Sequence, residues 1–143
     1  MNGGSSSRRT ERLREASKRL LDLRDALTKL HKVLMESERV SYERTFGKVG
    51  STGDFLQLVI RDPWFAWLHP ISELIVSIDE RLDDQKSITP AAVDDFIKTA
   101  RALLIATDTG HGFSKHYYEA LQRDPDVVMA HGAVAKVFGT QKK

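Results

Sequence analysis

The sequence predicts an all-α fold, a compact antiparallel helical bundle of four main helices plus short helical links. Three observations predict it. A leucine seam with helical spacing runs through the early part of the chain, and Asp-Pro or Thr-Pro pairs stand where helices should begin. No stretch alternates apolar and polar residues as a half-buried strand does. At 143 residues, 41% of them apolar, the chain can form one core without a disulfide or metal staple.

The first helix carries the strongest pattern. Leu13, Ala16, Leu20, Leu23, Leu27, Leu30 and Leu34 are spaced 3-4-3-4-3-4 and share one seam. Leu21, Ala26 and Val33 widen the stripe beyond a two-stranded coiled coil, toward a helix facing a bundle. The helix is expected from Thr10 to about Phe46, ended by Gly47 and Gly50. Residues 1–9 are expected as a disordered leader, 10–139 as one bundle domain and 140–143 as a frayed tail.

A short helix over Phe55–Ile60 follows, capped by Ser51, Thr52 or Asp54. Asp62-Pro63 then caps and opens a third helix whose apolar stripe is Trp64, Trp67, Leu68, Ile71, Leu74, Ile75, Ile78 and Leu82. Pro70 lies inside that stripe, so a kink or break is expected there. After a polar loop at Asp83–Ser87, Thr89-Pro90 opens a helix that buries Val93, Phe96, Ile97, Ala100, Leu103 and Leu104. A short helix over Ser114–Gln122 leads to Asp124-Pro125 and a last helix ended by Gly139.

The halves echo each other at an offset of 62 residues. Arg61-Asp62-Pro63 with His69 matches Arg123-Asp124-Pro125 with His131, Gly50 matches Gly112, and Phe55 matches Tyr117. Two similar helical hairpins would produce this echo; so would the general popularity of Asp-Pro as a helix start.

Composition excludes several chemistries. Without cysteine there is no disulfide, thiolate zinc site, cysteine-held iron–sulfur cluster or cysteine nucleophile. This suits a reducing, cytoplasmic setting. Gly47-Lys48 is followed by Val49 and preceded by no strand, so it is not a phosphate loop. Asp108-Thr109-Gly110 occurs once in an all-α chain and is no aspartic-protease pair, and no Gly-x-Ser-x-Gly elbow occurs. The apolar runs are short and interrupted, so no membrane span is expected.

Three functional readings remain. The first is a non-enzymatic intracellular module that binds a protein partner or forms a homodimer. The long seam and the aromatic cluster Trp64, Phe65, Trp67, with Tyr118 as a rim residue, motivate it. Trp64, Trp67 and Ile71 are expected on one face, with Phe65 pointing elsewhere. The second is a bundle that holds iron, zinc or haem through His69, His131, His116 and Glu119. His116 and Glu119 lie one turn apart, and the two repeat histidines could meet near a twofold axis or each bond within its own hairpin. The third reading is nucleic-acid or anionic-surface binding through Arg8, Arg9, Arg12, Arg14, Lys18 and Arg19, since residues 1–48 carry a net charge of +5 against −3 for the rest. Acidic neighbours Glu11, Glu15, Asp22 and Asp25 interrupt that run, which ranks nucleic acid behind a protein partner.

Overall fold

The structure is a computed structural model that describes residues 2–139, with side chains from Ser7 onward. Its elements are α1 (Asn2–Phe46), α2 (Thr52–Arg61), a 3-10 helix (Pro63–Leu68), α3 (His69–Asp83), a 3-10 turn (Gln85–Ser87), α4 (Pro90–Leu103), α5 (Phe113–Arg123) and α6 (Pro125–Gly139). No strand occurs among the described residues. Met1 and the expected tail at 140–143 lie outside them.

The long helix α1 is the axis, and α3, α4 and α6 pack against it. Contacts between named residues give their directions. Arg24 reaches Asp79 late in α3, while Tyr42 meets Trp64 just before that helix, so α3 runs antiparallel to α1. Arg19 reaches Asp94 early in α4, which runs back alongside α1. The Arg123 side chain, just before α6, reaches Ser37 and Glu38, and Phe138 at the far end of α6 meets Arg101 of α4. The four main helices therefore go up, down, up and down, with α2 and α5 as the short links.

The seam does what its spacing demands. Ala16, Leu20, Leu23, Leu27, Leu30 and Leu34 are all buried and join Ile71, Ile78, Val93, Ile97, Val127 and Val134 in one core. Each fully buried leucine contributes about 1.5–3 kcal/mol relative to exposure, before chain entropy. Leu13 is exposed, because at about 1.5 Å per residue α1 is far longer than the helices around it and its first turns project beyond them. α1 begins at Asn2, inside the stretch expected as a leader. Once a helix is nucleated, each added residue gains one backbone hydrogen bond, so a Gly/Ser-rich start can extend it. Ser7 to Glu15 are exposed throughout.

The punctuation residues also act as expected. Ser51, Asp62, Thr89 and Asp124 each accept a hydrogen bond from a backbone N–H two or three residues on. The break expected at Pro70 falls just ahead of it, where the 3-10 helix ends at Leu68 and α3 starts at His69. Pro70 occupies the first turn of α3, where its missing N–H has no intrahelical partner to lose. The loop expected at Asp83–Ser87 tightens into the short 3-10 turn at its end.

One expected face is corrected. Phe65, Leu68 and Ile71 are the buried residues, while Trp64 and Trp67 lie half-buried at the side. The reason is the 3-10 geometry of Pro63–Leu68: with three residues per turn, positions three apart stack, so 65, 68 and 71 point inward together. A pure α-helical reading places Ile71 with the tryptophans instead.

The 62-residue echo holds at the caps. Asp62 Oδ1 accepts from Trp64 N and Asp124 Oδ1 from Asp126 N, both at 2.9 Å. It fails beyond them. Pro63 starts a 3-10 helix and Pro125 an α-helix. The left-handed glycine of the first link is Gly47 (φ 93°), whereas that of the second is Gly112 (φ 59°), the counterpart of Gly50.

Candidate functional site

The aromatic residues singled out by the sequence fall into two clusters at the end of the bundle where α1 stops. In the first, Trp64 stands edge-on to Tyr42 and to Phe46, at 5.8 and 5.7 Å between ring centres. Phe65 fills the core between Tyr42 and Phe55. In the second, Trp67 meets Phe113 edge-on and stacks on His116, both at 5.3 Å. Phe113 passes the contact to Tyr117, and Tyr117 to His131. Tyr117 is fully buried and Tyr118 half-buried beside it, so the rim residue of that adjacent pair is Tyr118. The indole N–H groups of Trp64 and Trp67 are both covered and find no acceptor among the described residues.

The link α2 has the most unusual surface. Phe55, Leu56, Leu58, Val59 and Ile60 give it five apolar residues in ten, yet none of its residues is fully buried. Phe55 is pinned between the Phe65 ring and the Arg39 guanidinium, which Glu36 and Glu43 hold in place. Leu56 and Ile60, one turn apart, stay 48% and 64% exposed, and Phe46 is 63% exposed against Trp64. Spacing alone does not show that α2 lies half on and half off the core.

The four residues considered for a metal are not brought together. His69 is exposed and its Nε2 lies 3.3 Å from the Val59 carbonyl, within its own hairpin. His131 Nδ1 takes the Tyr117 hydroxyl at 2.7 Å. His116 stacks on Trp67, and Glu119 pairs with Lys115 at 3.8 Å. Among the described residues no three His, Cys, Asp or Glu side chains form a group able to hold a metal ion. Burial holds His131 below its ordinary pKa, and burial followed by the charge of nearby His69 does the same to His31.

The basic residues separate into two kinds. Arg14 pairs with Glu11, Lys18 with Asp22, and Arg19 crosses to Asp94, so these three are engaged in structure. Arg8, Arg9 and Arg12 are exposed on the projecting part of α1 and make no ion pair among the described residues. No described helix is long and apolar enough to cross a membrane.

One polar contact had no signal in the sequence. Where the α1 seam turns polar, Ser37 and Glu38 are buried, and Arg123 satisfies both, at 3.0 Å to Ser37 Oγ and 2.7 Å to Glu38 Oε2. Compared with protein-family models, with curated proteins and with solved structures, the chain matches none.

Proposed function

We propose that the chain is a non-enzymatic, intracellular interaction module that docks a protein partner on the apolar surface of α2 and the end of α1. The observation that carries this reading is α2 itself, a helix half apolar by sequence that buries none of its residues completely. Folded chains expose single apolar residues freely, but a contiguous exposed group marks an interaction surface. Leu56 and Ile60 at i and i+4 form the anchor pair of a helix laid into an apolar groove. Phe46, 63% exposed and packed edge-on against Trp64, adds a further exposed apolar side chain at the end of α1.

The test is a photo-crosslinking residue at position 60 and, as control, at exposed position 98, in cells that make the chain. A crosslinked protein specific to position 60 and abolished by Leu56→Asp supports the reading. A folded chain that crosslinks equally at both positions, or at neither, overturns it.

Arg8, Arg9 and Arg12 favour a second reading, an electrostatic contact between the projecting arm and a polyanion. Its binding would fall steeply with salt, with a log–log slope set by about three neutralised phosphates. Binding that salt does not change would exclude it.

A further inference from the structure

Like α2, α6 presents an uncharged, partly apolar face to solvent. Its inner face is buried through Val127, Ala130, Val134 and Val137. Its outer face carries no charge between Asp126 and Lys136, and there Met129 is 74% and Val128 49% exposed. A helix apolar on both sides belongs in an interior or against a partner. Asp126, Met129, Ala133 and Lys136 are spaced 3-4-3, which makes them one line along the helix. Neither Asp126 nor Lys136 has a side-chain ion pair among the described residues. A Cβ built on Gly132 meets nothing within 4 Å, so the middle of this face is open.

We infer that a second copy of this chain covers this face, with the two α6 helices antiparallel about a twofold axis near His131. The inference goes beyond the α2 reading, since it concerns a different helix and stands or falls separately. The line of residues is self-complementary only in that sense. Antiparallel pairing sets Asp126 of each copy opposite Lys136 of the other and Met129 opposite Ala133, whereas parallel pairing sets like charges against each other. Gly132 and Ala133 let the helix axes approach to the short end of the usual 8–10 Å range, and Met129 fills the space beside them. The contact is isologous and closes as a dimer. A helix of 15 residues offers a few hundred Å² at most, below the roughly 800 Å² per partner of a standard interface, so the dimer is weak.

Sedimentation equilibrium from about 10 μM to about 1 mM tests it, since a contact this small associates only toward the upper end. The expected result is a reversible monomer–dimer equilibrium. Gly132→Leu places a side chain in open space, so the monomer folds as well as before while dimerisation falls at least about tenfold. Asp126→Lys and Lys136→Asp each weaken association, and mixing the two single variants restores it, because each reversed end then meets its opposite. A chain that is monomeric throughout, or a dimer that neither Gly132→Leu nor the charge reversals disturb, overturns the proposal. A dimer lost on Leu56→Asp but indifferent to the α6 variants also overturns it, while leaving the α2 surface as the interaction site. Loss of position-60 crosslinking alone, with the α6 results as expected, removes the α2 reading and leaves this dimer standing.

Discussion

The phenol of Tyr117 and the imidazole of His131 lie one hydrogen bond apart, 2.7 Å from Oη to Nδ1, inside the α5–α6 hairpin. Burial raises the Tyr117 phenol above its ordinary pKa, so it keeps its proton and donates it. His131 accepts at Nδ1 and is held neutral by the same burial.

This pair predicts a direction for acid sensitivity. His131 and His31 both have folded-state pKa values below the ordinary value of about 6.5. Below that value the unfolded chain binds more protons than the folded one, so stability is full above about pH 6.5 and lost as pH falls toward the lowered values. The urea midpoint should drop between pH 7 and pH 5, and His131→Asn with His31→Gln should flatten the drop. A double variant as acid-sensitive as the parent would refute this assignment.

Arg123 predicts a non-additive loss. The Glu38 side chain is 8% exposed, and Arg123 is its ion-pair partner. Removing the guanidinium strands a buried carboxylate, which costs about 3–5 kcal/mol for fully buried pairs and about 2–3 kcal/mol here, where Arg123 reaches solvent. Arg123→Met should cost that much by denaturant unfolding. Adding Glu38→Gln should recover more than half, because the stranded charge is gone.

The aromatic end predicts unequal costs for two substitutions at one residue. Trp64→Ala should lose about 2 kcal/mol, from its contacts with Tyr42 and Phe46. Trp64→Phe should stay within about 1 kcal/mol of the parent, since it also removes a covered N–H that has no acceptor. Phe65→Ala, at a fully buried ring, should cost about 3–5 kcal/mol. If Trp64→Ala matches Phe65→Ala, the tryptophan is as deep as the phenylalanine and the half-buried description fails.

Gly47 predicts a pure backbone effect. Its φ is 93°, its N–H bonds to Glu43 O at 2.9 Å, and a Cβ there meets nothing within 4 Å. Gly47→Ala should therefore cost about 1 kcal/mol from left-handed strain alone, seen as about a 3 °C lower melting temperature.

Whatever depended on local chemistry was legible in the sequence. The α1 seam needs only the helical period, and the Asp62, Thr89 and Asp124 caps need only a side-chain oxygen before a proline. The inward turn of Phe65 was not legible, because it depends on six residues winding at three per turn rather than 3.6. Nor was the role of Arg123, since its partners Ser37 and Glu38 lie 86 and 85 residues away and only the docking of α6 joins them. The aromatic cluster was found, but its exposed part lies on α2 and Phe46, where burial is set by how loosely one link rests on the bundle.

The leucine seam and its last cover lie far apart in the chain. α3 and α4 can lie down on α1 as soon as they form, but α6 must return across everything between. Closing that large loop carries the larger loop-closure entropy, which predicts that α6 docks late in folding. Until it closes, a trench of leucines stands open along α1, flanked by finished helices and shaped to receive any amphipathic helix nearby. A chain interrupted near Arg123 keeps that trench for good. Such a chain is expected to aggregate, which light scattering of a variant ended at Arg123 would show.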